Sequence, residues 1–142
     1  MKEKSIQYSD KHNIEKNKII NLYKLNNWSS SDKPDLLYKA LINSHSLITA
    51  WDKEELVGLG NAISDGFLVV YYPHLLVLPE YQGMGIGKNI VKRLTNIYAN
   101  FHQQILVSEN QAIGFYERCG FQKADNTESM WIYQDEEDWY LI

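Results

Sequence analysis

Cysteine is nearly missing from this chain: Cys119 stands alone among 142 residues. A disulfide framework is therefore excluded, and a reducing, cytoplasmic setting is expected. Long apolar runs are missing too. None approaches the ~20 residues of a membrane-spanning helix, and Met1-Lys-Glu-Lys-Ser5 leads into no apolar signal-peptide core. Positive charge is not in excess. The formal net charge of −4 leaves no basic footprint for nucleic acid, so neither nucleic acid nor membrane is expected as a partner. The histidines lack metal-ligand spacing: His12, His45 and His102 sit in terminal or turn regions, and His74 lies in an apolar run. No metal is expected. No repeat, low-complexity tract or linker interrupts the chain, so residues 1–142 read as one domain with a core of its own.

Aromatic residues, by contrast, are plentiful. Four Trp and ten Tyr are enough to line a pocket or an interface as well as a core. Ser5–Tyr8 alternates as a first strand. Ile14–Leu25 carries Ile19, Ile20, Leu22, Tyr23 and Leu25 at helical steps. Asn26–Lys33 is turn chemistry, after which Pro34 opens a second helix to about Asn43. Ser46–Trp51 and Leu56–Ile63 read as strands around the charged hairpin turn Asp52–Glu55, and Ser64-Asp65-Gly66 turns the chain again. Phe67–Leu78 is the longest β-like run, broken mildly by Pro73 and ended by Pro79.

Ile86, Ile90, Val91, Leu94, Ile97 and Tyr98 then mark a core-facing helix. Gln104–Val107 reads as a short buried strand. Asn110 is placed to cap a helix over Gln111–Cys119 that Gly120 closes in the left-handed conformation. Phe121–Ala124 and Met130–Tyr133 are expected as closing strands, and the acidic run Asp135–Asp138 as a solvated turn. This order predicts a mixed α/β sandwich around one central sheet.

Between the long strand run and the core-facing helix lies Glu80-Tyr-Gln-Gly-Met-Gly-Ile-Gly-Lys-Asn89, with glycine at positions 83, 85 and 87. Glycine there lets main-chain N–H groups turn toward one point, and a helix opening at the same place seats an anion such as a phosphate. A Walker loop is excluded, because Gln82 stands where its first Gly belongs and Asn89 follows the Lys. A dinucleotide fingerprint is excluded as well: counted from Gly83 it ends on Lys88, and from Gly85 on Ile90. The pattern present is Gln-x-x-Gly-x-Gly, residues Gln82 to Gly87. With Leu76-Val-Leu-Pro-Glu-Tyr-Gln-Gly-Met-Gly-Ile-Gly-Lys88 and Asn110-Gln-Ala-Ile-Gly-Phe-Tyr-Glu-Arg-Cys-Gly-Phe121, the sequence closely resembles the GCN5-related N-acetyltransferase (GNAT) family. The element order agrees along nearly the whole chain, while the first 65 residues carry no motif of their own.

The resemblance implies a mixed, mostly antiparallel central sheet flanked by helices, with the fourth and fifth strands splayed around acetyl-CoA as cosubstrate. It implies a pyrophosphate cradle from the backbone of Gln82, Gly83, Met84, Gly85, Ile86, Gly87 and Lys88, and pantetheine bonding by the backbone of Leu76, Val77 and Leu78. Lys88 either adds positive charge there or stays solvated. Tyr116 corresponds to the acid that protonates the departing thiolate, or else is a core residue of an amphipathic helix. Asn110 either contacts the cofactor or serves as a helix cap. His74 and Glu109 are both candidates for the base. Direct transfer is implied, so Cys119 packs at its helix end and forms no acyl intermediate.

The resemblance places the acceptor near the loop between the first two helices and near the closing strands, where Trp28 and Trp131 would wall a pocket for an alkyl or aryl amine. The expectation is an N-acetyltransferase acting on a small primary amine. The alternatives are a protein amine as acceptor, or a non-catalytic acyl-CoA-binding module. A homodimer is suggested by the aromatic tail Trp139-Tyr-Leu-Ile142.

Overall fold

The structure, a computed structural model, describes residues 5–134. Among them, six strands form one mixed sheet and four α-helices flank it. Strand β1 (Gln7–Ser9) leads to helices α1 (Lys16–Leu25) and α2 (Pro34–Ile42). Strands β2 (Ser46–Asp52), β3 (Glu55–Ser64), β4 (Val69–Tyr71) and β5 (Leu75–Val77) follow, then helix α3 (Ile86–Ile97), strand β6 (Gln103–Ile105) and helix α4 (Ile113–Arg118). The sheet runs β1-β2-β3-β4-β6, and β5 pairs with β3. Every pairing is antiparallel except that of β4 with β6.

The core sits at β2 and β3. Leu56 to Ala62 are buried without alternation, which means that both faces of β3 are covered. On one face α1 contributes Ile19, Leu22 and Tyr23, three and four residues apart. On the other lies α3, and there the sheet has to be smooth. A Cβ on Gly60 would stand 2.7 Å from Ile90 Cγ2, and one on Gly58 would stand 3.1 Å from Ile86 Cγ2. Glycine at both positions lets α3 rest directly on the strand.

The run expected as one strand over Phe67–Leu78 divides into β4 and β5, for a local reason. Pro73 has no N–H to give to a ladder. On one side of it, the Tyr72 N–H still reaches the carbonyl of Ile105 at 3.0 Å. On the other, the His74 N–H turns to Asn61 Oδ1 at 3.1 Å, and the Asn61 N–H returns to the His74 carbonyl at 3.2 Å. The chain thus stays on β3, which pairs with both β4 and β5, and parts from β6 at the proline. The splay expected between the fourth and fifth strands falls here, between β5 and β6.

Three further expectations are corrected. Phe121–Ala124 and Met130–Tyr133 form no strand: Asn126 turns the chain with φ 61°, and Met130 and Ile132 are more than nine-tenths exposed. Trp131 stacks instead on Tyr133, whose hydroxyl lies 3.2 Å from Ser29 Oγ on the loop between α1 and α2. The strand expected to be buried over Gln104–Val107 is an edge strand, with Ile105 40% exposed. Asn110 caps nothing; it opens a short 3-10 turn, Asn110–Ala112, and α4 begins only at Ile113. Its far end is as expected, with Gly120 at φ 99° and the Phe121 N–H bonded to the Tyr116 carbonyl. The acidic run and the aromatic tail from residue 135 onward lie outside the described residues.

Candidate active site

Once Pro73 redirects the chain, the sheet edge opens into a wedge. A cleft of about 130 Å³ lies between Tyr72–Leu75 on one lip and Leu106–Glu109 on the other, with Val91, Leu94 and Thr95 of α3 as its floor. Trp28 and Tyr116 complete the wall. Four side chains singled out in the sequence therefore meet in one place: Trp28, His74, Glu109 and Tyr116. Trp131 does not join them and stands outside, half exposed. Asn110 is exposed beside Glu109, beyond the lining.

Below the wedge, β5 bonds to β3 through the pairs Leu75–Gly60, Leu76–Leu59 and Val77–Gly58, and the Leu78 N–H continues the ladder to the Val57 carbonyl at 2.8 Å. Its other edge faces the gap left by β6. There the Val77 carbonyl accepts a hydrogen bond from Gln82 Nε2 at 3.0 Å, which straps the glycine turn to the strand.

That turn has the form the anion reading required. Gly83 and Gly85 stand at φ 82° and 83°, a region that side chains rarely tolerate, and a Cβ on either would meet nothing within 4 Å. The surface is bare backbone with open space before it. Asn89 makes the first helical bond, to the Gly85 carbonyl, so the N–H groups of Ile86, Gly87 and Lys88 lie ahead of it at the positive end of a 12-residue helix. Gly87 is different. Its φ is ordinary, and a Cβ there would make an ordinary contact, 3.4 Å from Phe115 Cζ of α4. Lys88 and Met84 are exposed at the rim.

Electrostatics sorts the titratable groups. Burial pushes the Tyr116 hydroxyl up to about 12, so it holds its proton throughout the neutral range. Its ring packs edge-on against Phe121 at 6.0 Å. Burial lowers His74 to about 4, so its ring is neutral at pH 7. Its Nδ1 lies 2.7 Å from the hydroxyl of Tyr23, and Trp28 meets the ring edge-on at 4.9 Å between centroids. Burial also raises Cys119, which leaves it a thiol and a poor nucleophile. Sequence reasoning missed Tyr23 and Asn61, which hold the ring and the main chain of His74. They lie 51 and 13 residues from it, too far for any local pattern to reveal them.

The match with known proteins follows the same parts. The model of the acetyltransferase (GNAT) domain matches residues 43–123, more than half of the chain, from the end of α2 through the glycine turn and α4. The chain belongs to the GNAT acetyltransferase family. It is 30% identical over 140 residues to the uncharacterized N-acetyltransferase ycf52 of Pyropia yezoensis, covering 90% of this chain and 80% of that one. It is 39% identical over 70 residues to the chloroplastic GCN5-related N-acetyltransferase 3 of Arabidopsis thaliana, of which it spans 29%. Among solved structures, a GNAT-family acetyltransferase from Streptococcus pneumoniae superposes with a TM-score of 0.80 at 29% identity, covering 92% of this chain and 99% of the other. The protein is accordingly an N-acetyltransferase of this family. Among its described residues, no helix is long and apolar enough to cross a membrane.

Proposed function

We propose that this acetyltransferase moves an acetyl group from acetyl-CoA directly to the primary amine of a small molecule. The observation that carries the reading is the adjacency of two features. A bare-backbone helix start fits a diphosphate, and a wedge within reach of it gathers a proton donor, a carboxylate and an aromatic wall. Bound acetyl-CoA would supply the activated thioester. The main-chain N–H groups from Gln82 to Lys88 hold its diphosphate, and the open edge of Leu76, Val77 and Leu78 lines the pantetheine arm.

Tyr116 gives its proton to the departing thiolate, a role suited to a hydroxyl that is kept protonated. Glu109 takes the proton that the attacking nitrogen must lose, directly or through water. His74, the other candidate base, is kept neutral by burial and has its Nδ1 beside the Tyr23 hydroxyl at 2.7 Å. Trp28 offers the acceptor an apolar face. The cleft is narrow and set between strands, which favours a small amine over a folded protein surface. The lone thiol supports a reducing compartment such as the cytoplasm.

The test is release of free CoA across a panel of small primary amines, with a lysine-containing peptide beside them. Turnover of one or more small amines supports the reading. Turnover of the peptide alone moves the acceptor to protein amines, and acetyl-CoA binding without turnover of anything makes the protein a non-catalytic binding module.

A further inference from the structure

The bond between Tyr23 and His74 says more than that the ring is held. Tyr23 has no exposed surface, and burial raises its hydroxyl well above the ordinary range, so the oxygen keeps its hydrogen. Among the described residues, the partner of that hydroxyl is His74 Nδ1, at 2.7 Å. If Nδ1 also carried a hydrogen, the buried hydroxyl would be left with no acceptor for its own, an arrangement folded proteins avoid. Nδ1 is therefore the acceptor. A neutral imidazole carries one hydrogen, which must then sit on Nε2.

The ring cannot easily turn to exchange these roles. Trp28 packs on it edge-on at an interplanar angle of 81°, and Asn61 clamps the main chain of the same residue on both its N–H and its carbonyl. Asn61 is itself buried and fixed by its Nδ2 to Ser44 Oγ at 3.0 Å. Among the described residues nothing pairs with Nε2, while the ring lines the cleft.

We propose that Tyr23 locks His74 in the Nε2–H tautomer, and that this N–H serves as a hydrogen-bond donor to the acetyl carbonyl oxygen during transfer, not as the base. The inference rests on the acetyl-transfer reading above. When the amine lone pair forms the C–N bond, the carbonyl electron pair moves to oxygen, and a fixed N–H donor stabilises that charge without giving up its hydrogen. The C–S bond then breaks, sulfur takes the proton of Tyr116, and the nitrogen proton passes to Glu109; solvent returns a proton from Glu109 to Tyr116. The titratable groups around the ring are Tyr23 on α1, Tyr72 just before it, Glu109 after β6 and Tyr116 on α4, which leaves Glu109 as the group able to accept the proton. Tyr23 acts only through His74 and is a positioning residue.

Two measurements test this, and the first needs no turnover. A nitrogen-resolved NMR spectrum of the full chain reads the two ring nitrogens of His74. Nδ1 is expected without hydrogen and Nε2 with it, and the Nε2–H signal is expected to move on adding acetyl-CoA but not on adding CoA. A protonated Nδ1, or an equal response to both compounds, overturns the proposal. Binding of neither overturns the acetyl-CoA reading, while the tautomer is still decided by the ring spectrum. The second measurement compares His74→Leu with His74→Gln, since glutamine keeps an N–H donor but is no base. His74→Leu should lower kcat about 10² to 10³-fold with little change in KM for acetyl-CoA, as for loss of an oxyanion donor. His74→Gln should recover at least about tenfold of that loss, with the parental shape of pH profile. A folded His74→Gln as slow as His74→Leu would overturn the donor role in favour of a base.

Discussion

The Tyr72 N–H and the Ile105 carbonyl, 3.0 Å apart, form the last main-chain bond before the sheet edge opens into the cleft. Two of the cleft residues lie just beyond it: His74 two residues after Tyr72, and Glu109 four residues after Ile105. The opening falls at Pro73, which has no N–H to extend a ladder. Restoring a ladder residue there should close the wedge. Pro73→Val is expected to raise the KM for acetyl-CoA while leaving the fold intact by circular dichroism. An unchanged KM would mean that the opening has another cause.

Gly85→Val tests the cradle. In the free protein the new Cβ meets nothing within 4 Å, and a β-branched residue at φ 83° carries strain on the order of 1–3 kcal/mol. It also stands in the space before the helix N-terminus. Calorimetry should show acetyl-CoA binding weakened tenfold or more, about 1.4 kcal/mol. Gly87→Ala is the control, because its Cβ makes an ordinary contact with Phe115; it should bind acetyl-CoA within a few-fold of the parent.

Gly60→Ala tests the packing of α3 on β3. With Ile90 Cγ2 only 2.7 Å from the new carbon, overpacking should cost roughly 1–3 kcal/mol in denaturant unfolding. Ile90→Leu removes the branched methyl and should recover part of that loss when combined with it. Strict additivity of the pair would contradict direct contact.

The depressed pKa of His74 carries a prediction about stability. Its value falls from 6.5 to about 4 on folding, so between these values the unfolded chain binds more protons. The stabilisation is fully present above 6.5 and is lost as pH falls toward 4, by up to about 3 kcal/mol at 1.36 kcal/mol per unit. His74→Gln should unfold with a shallower dependence on pH across this window. Identical slopes for the two proteins would show that the ring is not held neutral by burial.

The parts legible in the sequence are the ones whose cause is local. Alternate glycines after a strand and before an apolar helix announce a bare helix start, because both the backbone angle and the unpaired N–H groups arise within a few residues. Tyr116 was singled out by the family motif it belongs to, while its place in the cleft wall depends on how α4 meets the rest of the fold. Pro73 was visible as a break, yet the path the chain takes after it depends on Asn61, a residue of another strand. Met130–Tyr133 is an apolar run like a strand, but an apolar run without a partner does not make one, and nothing local says whether a partner is there. Trp28 and Trp131 looked alike as rings near the acceptor. Only the packing of the first against His74 separates them.

That separation predicts unequal kinetics. Trp28→Ala should raise the KM for the amine and leave acetyl-CoA binding in place, whereas Trp131→Ala should leave both unchanged. An effect of Trp131→Ala on amine KM would place the acceptor outside the cleft.

The central claim is that this cleft is where an acetyl group changes hands, with Tyr116 as the acid. Tyr116→Phe removes one oxygen and keeps the ring packed against Phe121. The measurement is single-turnover release of CoA by parent and variant, with acetyl-CoA saturating and binding checked by calorimetry. Loss of a general acid is worth about 10² to 10⁴ in rate, and because a thiolate leaves readily the low end is expected. Binding should stay within a few-fold of the parent. A variant that releases CoA at the parental rate from pH 6 to pH 9 would contradict the account.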